Sequence, residues 1–195
     1  MMELTLPLTK EKAKTLKVGD ILFLTGFAYT CRDAAHKKIE VALSNGEKSP
    51  VEPVDFQNQT IKSPVDFQNQ TIYYAGPCPA RPGLPIGSNG PTTAARMDPF
   101  VEMMFQQGAT AFLGKGDRAD YVAELCKKYG GVSLLGIGGA SAINTKHVKS
   151  VEIVAYEELG TESIKKLYFD RYRVIVGIDS EGNTLQKQEV PKYAK

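Results

Sequence analysis

A layered α/β domain is the fold class this sequence predicts, and three observations predict it. From residue 109 onward, apolar runs and amphipathic stretches alternate as strand, helix, strand. Strand-like runs at residues 21–24 and 71–75 precede them, closed by Gly26 and by Gly76-Pro77. The 195 residues, 42% hydrophobic and 24% charged, suit one domain, 1–195, with a sizeable core.

Leu4 and Leu6 alternate with Thr5 and Pro7, a short edge-like strand that the proline limits. The lysine-rich stretch 9–16 reads as a surface turn of helix, and Val18-Gly19-Asp20 as a turn before the buried strand 21–24. Thr30 and Asp33 have capping-box spacing for a helix running to about Leu43, with Gly46 as terminator. Arg32 sits in that first turn, where a cation opposes the helix dipole, which favours a task for it. His36, one turn further on, reads as a structural histidine.

Residues 53–61 recur verbatim as 64–72. Two copies are too few for a solenoid, so this is a local duplication within 48–72, and one copy must loop out. The second runs directly into Tyr73-Tyr74-Ala75, which assigns it the strand and leaves the first as a surface excursion. The following stretch, with Pro77, Pro79, Pro82, Pro85 and Pro91, reads as a stiff functional loop. Asp98 then caps a helix with Pro99 at its first position, and Phe100, Met103 and Met104 form its core face. Beyond it come strand 109–113, turn Gly114-Lys115-Gly116, helix 117–129, strand 132–137, strands 148–155 and 167–178, and a fraying tail, 186–195.

A net charge of +2 with scattered lysines lacks the basic footprint of a nucleic-acid binder. No apolar run reaches the ~20 residues of a membrane span. With no export-signal pattern at Met1-Met2-Glu3, the expected location is cytoplasmic. Cys31, Cys78 and Cys126 lie far apart without a C-x-x-C pair and read as unligated thiols, so no metal or cofactor is assigned to this chain.

The stretch Gly87 to Asp98 has the most chemistry. Glycines suit a tight loop, and Thr92 or Thr93 can cap a helix beginning Ala94-Ala95-Arg96. A helix start favours anions, and Arg96 would place its fork one turn along. An ordinary capped helix with a solvent-facing arginine describes the same residues equally well. Gly114-Lys115-Gly116-Asp117-Arg118-Ala119 satisfies a loose G-x-G-x-x-A, yet the next strand ends without the acid a dinucleotide site needs. What survives is three cations at element ends, Arg32, Arg96 and Lys115, which would suit a small dicarboxylate.

Tyr29 to His36, Tyr73-Tyr74-Ala75-Gly76-Pro77, Gly90 to Asp98 and Gly114-Lys115-Gly116 occur in that order. The series resembles the β subunit, or C-terminal domain, of class I iron–sulfur fumarases and the related L-tartrate dehydratases. The duplication departs from that pattern. The resemblance implies a compact β/β/α swivelling domain with a mixed sheet, and a hydro-lyase interconverting malate and fumarate. It implies a [4Fe-4S] cluster that acts as Lewis acid and is ligated by a partner α subunit, so that this chain supplies half an active site. A hetero-oligomer follows, with a homodimer of β subunits also allowed. Carried over by position, Arg32, Arg96 and Lys115 grip substrate carboxylates, Thr92 is the candidate base, and Thr93 a neighbouring donor. L-tartrate dehydratase and a non-catalytic dicarboxylate-binding module are the alternatives.

Overall fold

The computed structural model describes residues 1–47 and 65–194. Its strands are β1 (Met2–Thr5), β2 (Ile21–Thr30), β3 (Thr71–Tyr73), β4 (Ala111–Gly114), β5 (Val132–Leu135), β6 (Val148–Ala155) and β7 (Ile164–Ile178). Its helices are α1 (Lys10–Thr15), α2 (Asp33–Ser44), α3 (Val101–Gln106), α4 (Asp120–Tyr129), α5 (Ser141–Asn144) and α6 (Leu185–Tyr193), with a 3-10 segment at Ala94–Phe100. The α/β class is as expected, and the sheet is mixed.

Parallel pairing runs from β1 through β5, while β7 lies antiparallel to β2, β5 and β6. Because β2 and β5 both pair with β7, the sheet closes on itself like a barrel. A strand has two edges, and β7 occupies one edge of β2 from Ile21 to Tyr29. The parallel neighbours β1 and β3 therefore share the other, at opposite ends of β2. Closure leaves few unpaired backbone groups along the central strands.

Strand alternation divides the core in two. Tyr73, Leu113, Leu134, Phe169, Tyr172 and Val174 fill the barrel interior. Their sequence neighbours Ile72, Tyr74 and Phe112 face outward against Ile39, Met97, Met104 and Val122 of the helical layer. Each large side chain so buried contributes about 1.5–3 kcal/mol, which makes this two-sided burial the main support of the parallel strands. Residue 71 onward therefore reads as a continuous apolar run, because a parallel strand is covered on both faces.

Several local expectations change. Gly26 does not end β2; with φ at +125° it sits where the β2–β7 register shifts, and the strand continues to Thr30. Thr30 does not cap α2. Arg32 occupies the cap position without a side-chain bond, and Glu162 Oε2 accepts from Ala34 N at 3.1 Å instead. Thr30 Oγ1 turns inward, donating to Ser163 O and accepting from Lys165 N. The tail forms α6, tied down by Gln186 to Asp117 and by Lys187 to Asp120. The second copy of the duplication enters the core, with Phe67 2% exposed and Thr71 opening β3. The excursion expected of the first copy lies outside the described residues. Among the described residues no helix is long and apolar enough to cross a membrane.

Candidate active site

Four parallel strands, β2 to β5, deliver their carboxyl ends to one edge of the sheet, the edge where open α/β folds place ligands. Arg32 follows β2 by two residues, Tyr74 to Gly76 follow β3, Lys115 follows β4 directly, and Gly136 to Gly139 follow β5.

The segment carrying the two threonines is laid across this edge. Thr92 N donates to Tyr74 O at 2.7 Å, and Lys115 N donates to Thr92 O at 3.0 Å. Ala94 N then donates to Lys115 O at 2.8 Å, giving Thr93 and Lys115 a parallel bridge. Thr92 is thus backbone-locked between the ends of β3 and β4, beside Lys115. It is half-buried, and its hydroxyl makes no hydrogen bond among the described residues. Thr93 is exposed and stands at the start of Ala94–Phe100, but its side chain forms no cap bond. That helix is 3-10 rather than the α-helix a threonine cap predicts. Asp98 also caps differently: buried, it accepts from Ala119 N at 2.8 Å, one residue before α4.

The arginines meet over α2. Arg96 donates Nε and Nη2 to Asp33 at 3.1 and 2.9 Å, a two-point pair. Arg32 Nη2 lies 3.6 Å from the same Asp33 carboxylate and 3.2 Å from Glu162. Arg32 Nε is buried and has no hydrogen-bond partner among the described residues. A Cβ at position 76 would lie 2.7 Å from Arg32 Nη1, so a larger residue there would push the guanidinium aside. Lys115 is half-buried and forms no ion pair among the described residues, its chain running beside Gly138.

The structure therefore brings Thr92, Thr93 and Lys115 together at β3 and β4, and Arg32 and Arg96 together around Asp33. The sequence marks Asp33 only as the capping-box partner of Thr30, and Glu162 carries no local signal because it reaches α2 from 128 residues away. Asn89 is fully buried, and neither polar atom of its amide has a partner among the described residues. His36 is also buried, stacked on Phe100, and its Nδ1–H donates to Arg32 O at 2.9 Å. Burial holds its pKa down to about 4, so it is a neutral packing group.

The cysteines do not form a metal cradle. Cys31 and Cys126 are buried and Cys78 is exposed. Desolvation pushes the Cys31 thiol well up and the Cys126 thiol to about 12, so neither is a reactive thiolate. Among the described residues no group of His, Cys, Asp and Glu could hold a metal ion.

An α/β domain with cations and hydroxyls on the carboxyl edge of parallel strands can take a small anion there. Its relatives are specific. The family model described as Fumarase C-terminus matches residues 1–189, and the chain belongs to that family. Fumarate hydratase class I, anaerobic, of Escherichia coli (strain K12) is 38% identical over 177 residues, covering 90% of this chain and 30% of that protein. Fumarate hydratase 2 of Leishmania major is 35% identical over 178 residues, covering 90% and 29%. The protein named "Putative L(+)-tartrate dehydratase subunit beta" of Methanocaldococcus jannaschii is 35% identical over 187 residues, covering 93% and 89%. The chain thus spans about 30% of the fumarate hydratases it resembles and nearly all of the tartrate dehydratase subunit.

Proposed function

We propose that this chain is the β subunit of a two-part hydro-lyase that interconverts (S)-malate and fumarate. The carrying observation is the backbone lock that sets Thr92 beside Lys115 on the edge where Arg32 and Arg96 also stand. Cations there neutralise the two carboxylates of a four-carbon diacid. Neutralisation makes the C3 proton more acidic, because the aci-carboxylate formed on its removal is stabilised. Thr92 is positioned to receive that proton, and Thr93 to donate a hydrogen bond nearby. A threonine hydroxyl is a poor base alone; it takes up the C3 proton only as its alkoxide, a form that a neighbouring cation such as Lys115 stabilises.

The cysteines of this chain do not fit an iron–sulfur cluster, so the reading places the cluster in a partner α subunit located in the cytoplasm. When bound there, such a cluster would supply Lewis acidity toward the departing hydroxyl. A [4Fe-4S] cofactor, a cluster-bearing partner and a hetero-oligomer thus belong together in this proposal.

One observation favours a second reading. The tartrate dehydratase subunit matches over 89% of its own length, so its size is that of this chain. L-tartrate dehydration is therefore the alternative substrate assignment. The test is co-expression with a subunit bearing three cluster cysteines, followed by parallel assays of fumarate hydration and L-tartrate dehydration. Turnover of fumarate supports the first reading and preferential turnover of tartrate the second. Dicarboxylate binding without turnover of either would make the chain a non-catalytic module.

A further inference from the structure

We propose that Asp33 is a positioning residue which holds Arg96 so that its unfilled guanidinium edge faces a substrate carboxylate. This rests on the hydro-lyase reading above. A guanidinium carries five N–H donors on two edges, one formed by Nε and Nη2 and the other by the two terminal nitrogens. Asp33 takes the Nε–Nη2 edge of Arg96, at 3.1 and 2.9 Å, and leaves the terminal edge open. The arginine side chain is 51% exposed, and its terminal edge has no hydrogen-bond partner among the described residues.

The same carboxylate lies 3.6 Å from Arg32 Nη2, and Glu162 holds that atom from another element at 3.2 Å. Gly76 leaves the room that Arg32 occupies, because a Cβ there would lie 2.7 Å from Nη1. Two like-charged groups are thus drawn to one anchor rather than driven apart. Asp33 itself is fixed by being the first residue of α2.

A merely structural acid and a positioning acid make different predictions. An exposed ion pair adds little to stability, so removing Asp33 should barely move the melting temperature. Simple electrostatics says that deleting a negative charge beside the site should tighten binding of a dianion. Positioning says the opposite, because Arg96 loses its orientation.

The test uses the holoenzyme with Asp33→Asn and Asp33→Ala, assayed on whichever diacid the wild type turns over. Positioning predicts that KM rises at least about fivefold, with kcat changed less and the Ala variant worse than Asn. In an Arg96→Lys background the Asp33 substitution should add little, since it acts through Arg96. A lowered KM, or an effect that remains undiminished in that background, would overturn the proposal. Should the wild-type holoenzyme prove inactive, the functional reading fails, and the positioning contact is judged on the chain itself. There the Arg96 Nε–H resonance should be slow to exchange with solvent in wild type and fast in Asp33→Ala; equal exchange in both would overturn it.

Discussion

Arg118 Nε donates to Asp98 Oδ1 at 2.7 Å in a place where both side chains are almost completely buried. The guanidinium also lies against the ring of Tyr74 and reaches Ser133 Oγ at 3.3 Å. The second oxygen of Asp98 accepts from Ala119 N. One pair thereby ties the segment bearing Arg96 to the start of α4 and to β5. Removing one partner leaves the other charge buried and unpaired, so Asp98→Ala should cost about 3–5 kcal/mol. Urea denaturation measures it, and a loss under about 1 kcal/mol would show water reaching Arg118.

Arg96→Lys should lower kcat/KM by about 2–5 kcal/mol of transition-state binding while stability stays near wild type, because an ammonium cannot reproduce the planar fork. Thr92→Ala should fold normally, since Thr92 is held through its backbone N and O, and be nearly inactive. Steady-state kinetics of the assembled enzyme decides both. Retained turnover in Thr92→Ala removes the base assignment.

Purified alone, the chain should contain no stoichiometric iron or sulfide. The physical reason is that Cys31, Cys78 and Cys126 do not converge, and among the described residues no His, Cys, Asp and Glu group could hold a metal. Colorimetric iron and sulfide near cluster stoichiometry would contradict this.

Stability should fall on mild acidification because of His36. Its folded pKa is lowered to about 4 by burial, against 6.5 in the unfolded chain. The unfolded state therefore binds more protons below the unfolded value, and stability decreases as pH drops from about 6.5 toward 4. Above that window the contribution is fully present. A tenfold change in proton affinity corresponds to about 1.4 kcal/mol, so the total is on the order of 3 kcal/mol. Urea midpoints across the window should follow this slope in wild type and flatten in His36→Phe, after allowance for the carboxylates common to both.

Most of the framework is legible in the sequence because its cause is local. Residues 148–155 alternate, and β6 has those bounds. Gly130 ends α4 in the left-handed conformation that glycine tolerates, so the helix end is readable. Capping is less so for α2 and α4, because the groups that satisfy their starts come from afar, whereas Thr9 caps α1 locally. Glu162 serves α2 in place of the nearer Thr30, and Asp98 serves the start of α4. The site cations can be picked out one by one as charges at element ends. The meeting of Arg32 and Arg96 around Asp33 depends on the Ala94–Phe100 segment packing against α2, which no spacing in the chain encodes. The polar composition of the tail predicts fraying, yet α6 holds through ion pairs and one hydrogen bond rather than a buried face.

The duplicated segment supplies the last prediction. Phe67, in the second copy, is 2% exposed and packs edge-on to Tyr29 at 6.1 Å. Asn69 follows with φ at +60° and donates its N–H to Gly108 O at 2.8 Å, a turn that delivers Thr71 into β3 beside Ala111. Among the described residues, the contacts that register β3 come from the second copy and the residues it touches. Phe67→Ala should cost about 3–5 kcal/mol, the usual loss for a fully buried phenylalanine. Deleting the eleven residues 53–63 joins Glu52 to Pro64 and keeps that copy whole. Shortening a connection changes closure entropy only as ~(3/2)RT ln n, a few tenths of a kcal/mol here. The deletion variant should thus melt within a few degrees of wild type, by roughly the shift that such a small free-energy change produces in a domain of this size, and keep its activity. A loss of several kcal/mol on deletion, comparable to that of Phe67→Ala, would show that the first copy contributes to the fold.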